Sequence, residues 1–319
     1  MNKNHGLPGP TREISTDRIS AQIFGNLRVR NGSTVLDAHH LGGPKPRQIL
    51  EILLLRLGTS VSKATLIELL WGGAAPPEAV AALESHISVL RRHLQPGAGK
   101  GGALRTVNGG YLIDREHVDV DLDRFDVLYR QARLARPEEA LPLLRRALEI
   151  AHSPLFGDEL TAAWAVNERA AHQAIVNAAT SRAAETALAV GKFHEAVSWS
   201  RQALELDAMN ERSWTTLVLA LEQAGRHADA LNAYARCRRI MEHELGCPPG
   251  PALRAAHLRV LRASVDTDNG LSDVLAALLS LQNHLALSPE LSLVEATSVH
   301  LTRARSAVDS FLRREVGAA

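Results

Sequence analysis

Between Glu78 and Gln95 the chain sets small and hydrogen-bonding side chains at helical spacing: Ala81, Ala82, Ser85, Val89 and Arg92, with His86 and His93 along one edge. In a helix these positions lie opposite Val80, Leu83, Ile87, Leu90 and Leu94, whose recurrence at intervals of three and four makes one apolar stripe for packing. A hydroxyl, an imidazole and a guanidinium can bond base edges, a guanidinium can also hold a phosphate, and alanine or valine can meet a thymine methyl group. The chemistry expected of this face is recognition of the major groove of duplex DNA. Cations flank it: Lys45 and Arg47 ahead of an earlier helix, and Lys100 and Arg105 beside a later hairpin whose turn carries Asn108. Each phosphate they neutralise would release counterions and make binding depend on salt.

Patterns for catalysis fail on inspection. The glycine-rich run Pro96–Gly102 resembles a phosphate loop, but Leu94 stands where its first glycine is required and no Ser or Thr follows Lys100. His194-Glu195 lacks a second histidine four residues after the first, and Cys237, His243 and Cys247 are three metal-ligand types without a fourth. No nucleophile elbow occurs. The sequence therefore predicts a protein that is not an enzyme, with no catalytic, cofactor-binding or metal residues.

The elements that would position the DNA-reading face can be traced in order. A β-rich stretch from Ala21 to Val29, the turn signal Asn31-Gly32 and the return strand Ser33–Leu36 open with a small sheet. Pro44 to Arg47 lead into a first helix, Ile49–Leu57, stopped by Gly58; a second is capped by Ser62 and stopped by Gly72-Gly73, and a third starts at Pro76-Pro77 and ends at Pro96-Gly97. A second hairpin turns at Asn108-Gly109-Gly110. Sheet, three helices and terminal hairpin describe a winged helix-turn-helix, with the third helix for recognition and the hairpin as the wing.

From Asp119 onward alanine, leucine, glutamate and arginine dominate and strand signals fade. Gly191 and Gly225, Ala196 and Ala230, and Ala203 and Cys237 are each 34 residues apart, the tetratricopeptide period, with helices expected at about 177–190, 193–207, 211–224 and 227–244. The segment 138–150 repeats the Ala140-to-Ala147 spacing. The fold class is thus mainly α: a winged helix-turn-helix at 21–115, a tetratricopeptide-like helical-repeat domain at 119–262 and a C-terminal helical hairpin within 270–316, behind a loose tail at 1–20.

Bulk composition agrees. At 319 residues the chain suits two domains, and 36 Lys and Arg against 35 Asp and Glu leave DNA binding to local patches. Two cysteines point to a reducing compartment. The first twenty residues lack the apolar run of a secretory signal, and Ile49–Leu57 falls short of the ~20 residues a membrane span needs. A cytoplasmic, nucleoid-associated protein with no membrane partner is expected.

The residues also resemble a known family. The Leu41–Leu55 run LGGPKPRQILEILLL, LIELLWGG, HISVLRRHL and LRTVNGGYLI, then VDVDLDRF and the Asn210–Arg254 segment with its AGR, ADAL and ELG–PGP elements, resemble the actinobacterial antibiotic-regulatory (SARP-type) activators. These join an OmpR-like winged helix to a bacterial transcriptional activator domain. The resemblance covers Ala21 to Leu261. It implies activation of secondary-metabolite promoters by binding direct repeats, with contact to RNA polymerase, sigma factor included, and pairing of two copies on DNA. Family members often carry basic residues early in the recognition helix and an arginine where Val89 stands; this chain has Val80, Ala81 and Val89 there. The competing reading is a repeat-type protein-binding adaptor whose winged helix has lost most of its DNA binding.

Overall fold

A computed structural model describes residues 18–98 and 101–265. They form two compact units that meet in sequence at Ala179 and Thr180. The expected C-terminal hairpin within 270–316, Lys100 and most of the 1–20 tail lie outside the described residues.

The first unit opens with strands β1 (Ile19–Gln22), β2 (Arg28–Asn31) and β3 (Thr34–Asp37). The β2–β3 hairpin turns at Gly32-Ser33, with Gly32 at φ 57° where a two-residue turn needs left-handed backbone. A fourth strand, β7 (Val118–Val120), pairs in parallel with β1, giving the order β3-β2-β1-β7. The row Leu36, Val29, Ala21 and Val120 is buried on one face, and Arg28, Arg30, Ser20 and Gln22 lie on the other. Strand pairing thus continues past Asp119, where the sequence signals fade, because β7 is three residues long and is completed only by a partner 99 positions away (Ile19 with Val118).

Three helices follow: α1 (Pro44–Leu55), α2 (Lys63–Trp71) and α3 (Ala79–Leu94). Proline occupies the first turn of α1, where a missing N–H costs nothing, and the Ser62 side chain caps α2 by accepting from the Thr65 N–H. Ile49, Ile52 and Leu53 of α1, Leu66 of α2 and Leu83, Ile87 and Leu90 of α3 are almost wholly excluded from solvent. At about 25 cal/mol per Å2 of apolar surface, such a core is the main stabilising term. A second sheet, ordered β4-β6-β5, comprises the short β4 (Val61–Ser62) and the hairpin β5 (Leu104–Val107) and β6 (Gly110–Ile113). Sheet, three helices and hairpin are the winged helix expected from sequence.

Helices α4 (Asp121–Leu134) and α5 (Pro137–Ile150) follow in the same unit, and the boundary between the units falls within α6 (Ala163–Ala189). The buried Asp121 carboxylate accepts the backbone N–H groups of Ile23 and Phe24 at 3.0–3.1 Å, and Phe125 packs edge-on to Phe24. The expected start of a helix at 177 comes 14 residues late against the observed Ala163, since this alanine-rich stretch carries no clear apolar stripe.

In the second unit α7 (Phe193–Leu206), α8 (Glu211–Gln223), α9 (His227–Leu245) and α10 (Pro251–Val265) pack in succession. The 34-residue spacing has a physical basis here. Gly191 and Gly225 both adopt left-handed φ, 73° and 71°, and the following N–H donates to the carbonyl five residues back, Lys192 to Ala187 and Arg226 to Leu221, each at 2.8 Å. Ala196, Ala230, Ala203 and Cys237 are fully buried, as close helix approach requires.

Candidate nucleic-acid interface

The third helix is held on its two flanks and at its C-terminal end. Its buried stripe is Ala79, Leu83, Ile87, Leu90 and Leu94. Val80 is 49% exposed, so the expected place of Val80 in the stripe is corrected by one residue: the helix begins at Ala79, and its buried side is phased by the later leucines. At the C-terminal end, Asn31 of the β2–β3 hairpin donates to the Leu94 carbonyl at 2.9 Å, and the Gln95 side chain accepts the Leu104 N–H at 2.6 Å. The end of the helix is thereby tied to both sheets.

One flank faces the wing. Arg91 donates to the Leu104 carbonyl at 3.1 Å and to the Thr106 hydroxyl at 2.7 Å, and its guanidinium lies 5.9 Å from the Tyr111 ring. Glu84 pairs with Lys63 at 2.5 Å, and that hydrogen bond holds the Glu84 carboxyl below the usual carboxylate range. The wing needs Gly110, because a Cβ there would lie 2.3 Å from the Val61 carbonyl oxygen. Neither Lys63 nor Arg91 is among the residues that sequence singles out; both lie off the outward face, and their partners appear only when the hairpin folds back.

The other flank rests on the turn before α1. Gly42 has φ 85°, and a Cβ on it would fall 2.6 Å from Val89 Cγ1. Val89 is therefore half-buried against this turn, which corrects its expected place as a freely exposed base contact. Ala82, His86 and His93 are also half-buried on this side. Burial, with the nearby Lys45 charge, lowers the His86 pKa and so favours the neutral ring, which offers one donor and one acceptor.

Between the flanks Ala81, Ser85, Ser88 and Arg92 are exposed on one side of α3. Ser88 was not among the expected residues. Its hydroxyl donates to the Glu84 carbonyl at 2.9 Å, leaving its oxygen to accept. Arg92 makes no hydrogen bond or ion pair among the described residues.

The expected flanking cations mostly turn inward. Lys45 donates to the Leu70 carbonyl, lies 3.5 Å from the Gln48 side-chain oxygen and sits 5.4 Å from the Trp71 ring centre, closing the C-terminal end of α2. Arg47 is bound to Glu159, whose side chain is 4% exposed. Neither is a free phosphate contact, because each meets a partner far away in sequence. Arg105 shares its charge with Asp114 at 2.7 Å. The Asp114 carboxyl is held low, first by the Glu116 N–H it accepts. Asn108 is exposed at the wing tip, where it and Gly109 both take left-handed φ, 42° and 77°, as a tight two-residue turn requires. Among the described residues no group of three or more His, Cys, Asp or Glu side chains is assembled as a metal site, and no helix is long and apolar enough to cross a membrane.

Comparison with known proteins follows the same division. Residues 40–113 match the model of the family described as "Transcriptional regulatory protein, C terminal", and residues 120–261 match "Bacterial transcriptional activator domain". The chain is 31% identical to the transcriptional regulator RedD of Streptomyces coelicolor over 248 residues, 72% of this chain and 69% of RedD. It is 30% identical to the regulatory protein DnrI of Streptomyces peucetius, over 76% of this chain and 95% of DnrI. The AfsR regulatory proteins of Streptomyces griseus and Streptomyces coelicolor are also similar, at 30% and 32% identity, but the chain spans about a quarter of their length, 26% of each. Among solved structures, Mycobacterium tuberculosis EmbR, in complex with a low-affinity phosphopeptide, superposes with a TM-score of 0.67 at 27% identity, covering 77% of this chain and 65% of that one.

Proposed function

This chain belongs to the actinobacterial antibiotic-regulatory family, in which an OmpR-like winged helix precedes a bacterial transcriptional activator domain, and we propose that it acts there as a sequence-specific transcription activator of a secondary-metabolite gene cluster. The observation that carries this reading is the outward face of α3. Ala81, Ser85, Ser88 and Arg92 are exposed on a helix whose other sides are fixed by the core, the wing and the Gly42 turn. A rigid helix with small outward residues can enter the major groove deeply, where Ser85 and Ser88 bond base edges and Arg92 takes a phosphate or a guanine. Asn108 at the wing tip, with Lys100 nearby in sequence, supplies the contact to the neighbouring backbone.

In this reading residues 21–115 bind DNA and 119–262 form the activator domain. Two copies bind direct repeats near a promoter in the cytoplasm, at the nucleoid, and recruit RNA polymerase with its sigma factor. The protein works by binding rather than catalysis. The test is run-off transcription with purified polymerase holoenzyme from promoters of biosynthetic clusters, with footprinting of the same templates. Transcript gain together with a protected repeat supports the reading; protection with unchanged or reduced transcript removes the activator role.

A further inference from the structure

Arg28 and Arg30 stand two residues apart on β2 with the buried Val29 between them, so both side chains leave the same face of the sheet about 7 Å apart. Register places Ser20 of β1 opposite Arg30 and Gln22 opposite Arg28. This polar face does not look onto open solvent alone. It forms one wall of a cleft of about 440 Å3 whose other side is made by Arg124 of α4 and by Glu149, Ile150 and His152 at the end of α5.

The two strand cations of this cleft are not ion-paired. Neither the Arg28 nor the Arg30 side chain forms a hydrogen bond or ion pair among the described residues, although register sets Asp37 opposite Arg28, and Arg124 pairs with Asp119 at 3.6 Å. Asp121 lies at the base of the cleft, but its oxygens are committed to the backbone N–H groups of Ile23, Phe24 and Leu122. Glu149 is the exposed carboxylate in the lining. Guanidinium groups present planar forks of donors that match the oxygens of a phosphate, and two forks from one strand can grip one tetrahedral group from adjacent sides. The volume falls within the range of about 300–1,000 Å3 common for small-molecule sites, and Ile150 offers apolar surface for an organic part.

We propose that this cleft binds a small organic phosphate monoester, with Arg28, Arg30 and Arg124 around the phosphate, Ser20 and Gln22 donating from the sheet, and the organic group against Ile150. The site uses none of the α3 residues assigned to DNA, so the two functions can be separated. Adenosine 5′-monophosphate is a suitable probe and adenosine its uncharged control, titrated calorimetrically into the full chain at ionic strength fixed with chloride. The expected result is submillimolar binding of the monophosphate and none of adenosine. In Arg28→Ala/Arg30→Ala that binding weakens at least tenfold, while thermal unfolding without ligand and affinity for promoter DNA stay as in the parent; Arg28→Gln/Arg30→Gln serves if the alanine pair unfolds. Monophosphate heats no larger than those of adenosine, or binding that survives both double variants, overturns the proposal. Loss of DNA affinity in a protein that ignores the monophosphate overturns it too, and assigns the arginines to the DNA backbone.

Discussion

The half-buried Arg47 guanidinium of α1 and the buried Glu159 carboxylate, 112 residues apart in sequence, form an ion pair with Nη2 2.5 Å from Oε1. Gln48 donates to the second Glu159 oxygen at 2.6 Å, and Arg169 donates to the backbone carbonyls of Leu155, Phe156 and Glu159. The first helix of the winged helix is thereby bonded to the segment between α5 and α6. A cation that sequence offers to DNA instead holds the first unit together.

Removing one partner from such a pair strands the other in a dry site. Arg47→Ala is expected to destabilise the protein by about 3 kcal/mol, within the range for broken buried pairs, read as a lower urea midpoint. Its DNA affinity under native conditions should change little, whereas a true phosphate contact would show the reverse pattern.

Glu51 lies beside this pair, fully buried, with neither carboxylate oxygen hydrogen-bonded, and burial followed by repulsion from Glu159 pushes its pKa up to about 8. Since the folded value exceeds the ordinary one of 4.5, the folded state binds the extra proton between these limits, and the stability from this group is lost as pH rises toward 8. His172, packed against Phe24 and Phe125 with its pKa lowered to about 4 by burial, works in the opposite direction, costing stability as pH falls from 6.5. Of these two effects, that of His172 fades above pH 6.5 and that of Glu51 persists toward pH 8. Glu51→Gln should flatten the decline of the urea midpoint over that window and raise it at pH 8; an unchanged slope would remove Glu51 as its source.

Val89 of α3 occupies the space that a side chain on Gly42 would need. Gly42→Ala adds a Cβ at left-handed φ and 2.6 Å from Val89 Cγ1, and should cost about 1–3 kcal/mol, as overpacking does, together with a loss of DNA affinity from a tilted helix. Val89→Ala in the same chain should restore part of both. Failure of any rescue, with stability equal to that of Gly42→Ala alone, would place the cost in the backbone rather than the contact.

Arg92 is exposed and unpartnered among the described residues, so Arg92→Ala should leave thermal unfolding unchanged. If Arg92 holds a phosphate, the salt dependence of binding falls by about one unit of log–log slope. Anisotropy titrations at several salt concentrations measure it, and an unchanged slope with unchanged affinity would remove Arg92 from the interface.

The winged-helix order was legible because each element announces itself locally: proline and serine at helix starts, Asn-Gly turns, and a leucine stripe every three or four residues. Side-chain roles were less so. Lys45 and Arg47 look like free cations until Leu70 and Glu159 come into reach, and Val89 looks exposed until the Gly42 turn folds onto it. The β7 strand is too short to be seen without β1, and α6 lacks the amphipathic contrast that periodicity needs. Ser88 sits at the edge of the face that helical spacing defines, and only the packing of Val89 against the Gly42 turn brings it to the outward side.

The central claim is that the exposed side of α3 reads base sequence. Selection of duplexes from a random pool by the parent chain and by Ser85→Ala/Arg92→Ala, at equal low salt, tests it most directly. The account predicts that the parent enriches a repeated motif and that the double variant still binds DNA but loses preference at specific positions within each repeat. An identical motif enriched by both proteins, or no enrichment by the parent, would contradict it.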